Sequence, residues 1–184
     1  MSNNVTPLLA ALREQKAMRL KGGIYHKTQI DLTYNSNHIE GSRLTHDQTR
    51  YIFETNTIGV TSDESINVND IVETVNHFRC IELIIDRAEE PLSEELVKTL
   101  HGILKTGTSN SRKDWFVVGD YKQLPNEVGG EQTCEPELVH DSMQRSLMVM
   151  RLRVNIHWRT YSTFMSVSRR FIRSKTATVV WDDS

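Results

Sequence analysis

Cysteine and proline are scarce in this chain of 184 residues, at two and four, and glycine stops at nine. Cys80 and Cys134 stand far apart. That excludes a disulfide framework and a Cys-x-x-Cys metal knuckle, and it leads us to expect a reducing, cytoplasmic setting. So little proline and glycine excludes a low-complexity or collagen-like chain. Long apolar runs are missing as well: the stretch from Ile81 to Ile85 is broken by Glu82, so no segment is expected to span a bilayer. The N-terminal stretch carries Arg13, Glu14, Lys16 and Arg19 in a helix-like pattern, without the charged start, apolar core and cleavage site of a signal peptide. What is there, 38% hydrophobic, 25% charged and 7% aromatic positions, describes one ordinary soluble domain with enough chain to bury a core.

The net charge of −2 conceals an asymmetry. Residues 1–144 hold 14 basic and 22 acidic side chains, a balance of −8, whereas residues 145–184 hold 8 and 2, a balance of +6. A basic end of this kind reads either as a nucleic-acid arm or as a segment of different origin.

Apolar spacing predicts a mainly α chain. A first helix follows Pro7 and carries Leu8, Leu9, Leu12 and Met18, with Gly22-Gly23 expected to end it. A second covers Lys27 to His38, with Ile30, Tyr34 and Ile39 near one face. Thr45 and Gln48 have the spacing of a capping box and open a third helix with Tyr51 and Ile52. From Val68 to Ala88, Ile71, Val72, Val75, Phe78, Ile81, Ile84 and Ile85 recur every three or four residues, the clearest helical period in the chain. Ser93 is placed to cap a helix carrying Leu96, Val97, Leu100, Ile103 and Leu104. Trp115 to Val118 has β propensity, and glycines and Pro125-Asn126 follow, so residues 115–130 read as a short hairpin or extended flap. A further helix starts at Pro136. The region beyond Gln144 has neither a helical nor a strand period, and its structure is left open.

The informative segment is Tyr34-Asn35-Ser36-Asn37-His38-Ile39-Glu40-Gly41. Ser36 and Glu40 stand four apart, on one side of a helix that Gly41 would end. A carboxylate is unfavourable at a helix C-terminus, so Glu40 is expected to have a cationic partner; spacing alone favours the plainer reading of a solvated polar helix end.

Ser36-x-x-x-Glu40-Gly41 resembles the inhibitory helix motif, Ser/Thr-x-x-x-Glu-Gly/Asn, of Fic-domain proteins. Val75-Asn76-His77 and Leu100-His101-Gly102-Ile103-Leu104 resemble two core segments of that family, where both histidines are expected to pack as satisfied imidazoles. Gly119, Asp120, Tyr121, Lys122, Pro125, Val128, Gly129 and Gly130 resemble its target-docking flap, with Lys122 in place of the usual arginine. The four segments keep the family's order and spacing over residues 27–143. The resemblance implies a Fic-like helical bundle with a β-hairpin flap. It assigns residues 1–60 to an N-terminal helical region with the inhibitory helix at about 30–41. Residues 61–145 are then a partial core including the flap at 115–130, and 146–184 a basic tail of uncertain structure. The family transfers AMP from ATP, with Mg²⁺, to a protein hydroxyl, and Glu40 would be the autoinhibitory carboxylate that Ser36 orients.

The family's catalytic loop, His-x-Phe-x-Asp/Glu-Gly-Asn-Gly-Arg-x-x-Arg, does not occur in the chain, and no glycine follows Gly130. No catalytic residue, metal ligand or bound cofactor is therefore expected in the chain as written; ATP and Mg²⁺ belong to an intact relative. The tail is compatible with the loop in another frame. Joining the last base of each codon from Phe171 to Asp182 to the first two bases of the next allows His-Pro-Phe-Gln-Asp-Gly-Asn-Gly-Arg-Val-Gly-Arg, with free choice only at degenerate third bases. A frameshift near residues 143–148 thus accounts for the lost motif, the lost periodicity and the switch of charge. The expected function is that of a Fic protein, ancestrally an AMP transferase autoinhibited through Glu40, and inactive in this form. The alternative is a catalytically dead binding module. Expected partners are a protein target on the flap and a second Fic chain, with no membrane and no nucleic acid.

Overall fold

The computed structural model describes residues 6–60, 65–128 and 130–157. Six helices carry it: α1 (Pro7–Met18), α2 (Ile24–Ile39), α3 (His46–Thr55), α4 (Val68–Asp86), α5 (Glu94–Lys105) and α6 (Pro136–His157), with a 3₁₀ turn at Asn110–Arg112. The strands β1 (Glu127–Val128) and β2 (Glu131–Gln132) form one antiparallel hairpin, with Glu127 opposite Gln132 and Val128 opposite Glu131. The mainly α fold with a small β excursion is the one the sequence predicts.

The chain divides into two compact units, at Pro91 and Leu92. Residue 60 lies inside the first unit because α2 and α3 both pack on α4. Residue 145 lies within α6, whose Met143 and Leu147, one turn apart, are both buried.

In the first unit α4 is the central helix, contacted by α1, α2 and α3. Leu44, Ile52 and Phe78 form an apolar cluster, with Phe53, Ile58, Ile66, Ile71 and Val75 packed around it. Burying such side chains stabilises by about 1.5–3 kcal/mol each and is the main drive for the unit. Local signals set the ends. Thr6 accepts the Leu9 N–H with Pro7 in the first turn, the capping box of Thr45 and Gln48 is complete, and Ser93 accepts the Leu96 N–H. The first helix ends earlier than Gly22-Gly23: Arg19 itself takes the left-handed conformation, and its N–H closes onto Gln15 and Lys16 carbonyls. Arg13 of α1 then donates to the Ile85 and Asp86 carbonyls at 3.2 and 3.0 Å, a cation satisfying the open C-terminal end of α4.

The second unit buries Leu96 and Leu104 of α5, Phe116, and Met143 and Leu147 of α6. Trp115 to Val118 is not a strand. Phe116 is drawn into the core while Trp115 stays 45% exposed, and the backbone there turns, Phe116 N–H to Lys113 O and Asp120 N–H to Val117 O. Apolar burial overrides β propensity at this point. Met148 and Val149 on α6 are exposed.

Candidate functional site

Two sequence-predicted elements are candidates, one in each unit, and each stands by itself. The first is the C-terminal end of α2. A stripe of polar side chains, Tyr25, Gln29, Thr33 and Asn37, recurs every four residues along the buried face of this helix. Thr33 Oγ1 lies 3.0 Å from His77 Nδ1, and Asn37 Nδ2 donates to Thr74 Oγ1 at 2.9 Å, both contacts buried between α2 and α4. Tyr25 Oη donates to Glu82 Oε1 at 3.1 Å and accepts from Gln29 at the same distance. Burial, opposed by the Gln29 hydrogen bond and reinforced by Glu82, pushes Tyr25 up to about 12. Burial alone pushes His77 down to about 4, so its imidazole is neutral at pH 7.

This polar seam fixes the register of α2 on α4, because a slipped helix would strand buried donors without partners. It therefore sets where the helix ends. Ser36 is buried and its carbonyl accepts the Glu40 N–H at 3.3 Å. Glu40 is the C-cap and half-buried. Gly41 turns the chain at φ +88°, a left-handed conformation that favours glycine. The following N–H groups close the helix, Gly41 to His38 O and Ser42 to Asn37 O. Arg43 N–H then donates to Asp70 Oδ2 at 2.9 Å, tying the exit loop to the first turn of α4. Ile39, expected on the inner face with Ile30 and Tyr34, is 59% exposed; the seam residues rotate it outward.

The second element is the flap. Gly119 has φ +79°, and its N–H donates to His101 Nδ1 at 3.1 Å. Asp120 Oδ1 accepts the Tyr121 N–H and pairs with Lys98 Nζ at 2.9 Å. Lys98 also pairs with Glu94 Oε1 at 3.0 Å and sits 4.3 Å above the Tyr121 ring. The hydrogen bond to Asp120 holds the Lys98 ammonium above its usual range, and the same contact holds Asp120 below the usual carboxylate range. Burial is the largest influence on Glu94 and raises it, but the hydrogen bonds with Lys98, Tyr121 and Gln144 and the Lys98 charge together outweigh that and hold it below the usual carboxylate range. His140 and Gln144 of α6 also reach the Glu94 carboxylate.

Lys122 turns inward. Its Nζ donates to Asn126 Oδ1 and Thr133 Oγ1, and Thr133 N–H donates to the Asn126 carbonyl at 3.1 Å. This clasp closes the hairpin below β1 and β2, and burial lowers the Lys122 ammonium. Pro125 and Gly130 are exposed on the flap. Gly129 and the Val128 side chain lie outside the described residues, as does the tail from residue 158 onward.

Sequence reasoning missed the roles of Lys98 and Glu94. Their four-residue spacing, acid before base, was a readable sign of a helical ion pair, but nothing along the chain joined that pair to Asp120. It also treated His101 only as core. Among the described residues no cluster of three His, Cys, Asp or Glu side chains could hold a metal ion, and no helix is long and apolar enough to cross a membrane.

No family model matches the chain, and no curated protein matches it. Among solved structures it resembles a Fic domain-containing signaling protein from Bacteroides thetaiotaomicron VPI-5482. The TM-score is 0.61 at 20% sequence identity, over 90% of this chain and 70% of that one. The likeness establishes the fold: the chain folds as a Fic domain does.

Proposed function

We propose that this Fic-fold chain descends from a protein AMP transferase autoinhibited through Glu40, and that the chain as written has lost the transfer reaction. The observation that carries the reading is the end of α2. The register-fixed helix delivers Glu40 at its C-cap directly before a left-handed Gly41, which supports reading this segment as the inhibitory motif that it resembles. The flap supports it from the second unit, as a closed hairpin with a free-standing edge suited to pairing with an extended target segment.

The residues present do not fit ATP or Mg²⁺. The Fic catalytic loop needs a histidine base, a carboxylate for the metal and a glycine-rich anion nest at a helix start. No glycine follows Gly130, so the nest cannot be built after the flap, and we assign no catalytic step to any residue of this chain. In an intact relative, the carboxylate of Glu40 would pair with the second arginine of the loop and hold the nucleotide in an unproductive pose. The frameshift near residues 143–148 supplies the reason for the loss.

Restoring the shifted frame in the gene tests the reading. The purified 184-residue chain, given labelled ATP and Mg²⁺, should label neither itself nor added protein, whereas the frame-restored protein should. Labelling by the chain as written would overturn the proposal. A second reading, a binding module without catalysis, is favoured by the same well-closed flap. Sedimentation velocity over a concentration series should then show self-association or association with an intact Fic chain; sedimentation as a monomer throughout would remove the self-association form.

A further inference from the structure

The flap begins on one face of α5. Lys98, His101 and Gly102 lie three and four residues apart and so share that face. The first flap residues touch all three. Gly119 N–H donates to His101 Nδ1 at 3.1 Å. Gly119 and Gly102 are in backbone contact: a Cβ on Gly119 would lie 3.5 Å from the Gly102 Cα and 3.4 Å from the Lys98 carbonyl. Lys98 Nζ holds Asp120 and covers the Tyr121 ring. The buried Phe116 ring packs against the imidazole, ring centres 5.6 Å apart.

A histidine that accepts through Nδ1 must be neutral, with its proton on Nε2. The surroundings enforce that state. Burial, and then the nearby Lys105 ammonium, push His101 down to about 4, against a smaller opposing pull from Asp120. Its Nε2 is buried without a hydrogen-bond partner among the described residues, so the ring is held by Nδ1 and by packing. A core histidine kept only for its shape has no need to present one nitrogen to one backbone amide.

We propose that His101 is a positioning residue for the flap: its imidazole accepts the Gly119 amide and sets the direction in which Gly119–Gly130 leaves α5, with Lys98 holding the next two residues. This rests on reading residues 119–130 as the docking flap. The hairpin itself is closed separately by Lys122, Asn126 and Thr133. Loss of the imidazole should therefore loosen the root and leave the hairpin intact.

Amide hydrogen exchange on the ¹⁵N-labelled full chain separates these effects. His101→Asn places an oxygen near the position of Nδ1 and should keep Gly119 protected. His101→Ala and His101→Gln should speed Gly119 exchange by roughly tenfold, the scale of one lost hydrogen bond, with Thr133 and the α4 amides unchanged. Equal Gly119 protection in His101→Ala and the parent, or failure of His101→Asn to preserve it in a folded chain, would overturn the assignment. Lys98→Met serves if the His101 variants do not fold. It should release Asp120 and Tyr121 while Gly119 stays protected, and loss of Gly119 protection with His101 intact would overturn the role given to the imidazole. No readout here depends on nucleotide transfer, so an inactive frame-restored protein would leave this result standing.

Discussion

At the scale of single residues, buried polar side chains define the α2–α4 interface more sharply than apolar ones. His77 gives a sign that can be measured. The unfolded chain takes up its imidazole proton near the ordinary value of about 6.5, the folded one only near about 4. Between those values the unfolded state binds more protons, so stability rises with pH from about 4 to about 6.5. The loss on going from pH 7 to pH 5 should be about 2 kcal/mol from this residue. Urea unfolding at the two pH values checks it: His101, held down in the same way, adds a similar share, so His77→Asn, which keeps an acceptor toward Thr33, should remove about half of the dependence. Lys122 gives a second prediction. Because its ammonium closes the hairpin through Asn126 and Thr133, Lys122→Met should release the Thr133 amide to exchange, and an unchanged Thr133 rate would contradict the clasp.

At the scale of elements, caps and periods were legible and partnerships were not. The Thr45–Gln48 capping box, the Ser93 cap and the long period of α4 could be read directly, because each is a short-range pattern. Trp115–Val118 misled because burial of Phe116 outweighs local β preference. The stripe Tyr25, Gln29, Thr33, Asn37 was present in the sequence at helical spacing, yet polar residues give no hydrophobic period, and its meaning appears only opposite Thr74, His77 and Glu82. Two substitutions probe the element ends. Gly41→Ala, at φ +88°, should cost about 1–2 kcal/mol in urea unfolding, the penalty of a Cβ in the left-handed region. Thr45→Ala should cost about 1 kcal/mol by removing the α3 cap.

At the scale of the whole molecule, the chain joins a Fic fold to a sequence that lacks the Fic reaction loop. The Ser36–Gly41 segment at the end of α2 could be picked out from the sequence because its pattern is local. The flap root could not, because Lys98, His101 and Gly119 meet only after α5 and the flap fold together. In a frame-restored protein, Glu40→Gly should raise transfer by about tenfold or more, within the range of an ordinary coupling between sites. An unchanged rate would remove Glu40 from the inhibitory role. The measurement that bears most directly on the whole account is the nucleotide sequence of the gene from codon 140 to well past codon 184. We expect third bases that make the shifted frame spell His-Pro-Phe-Gln-Asp-Gly-Asn-Gly-Arg-Val-Gly-Arg and continue open beyond it. Third bases that encode other residues there, or a stop, would make the tail genuine and contradict the claim that a transferase frame was broken.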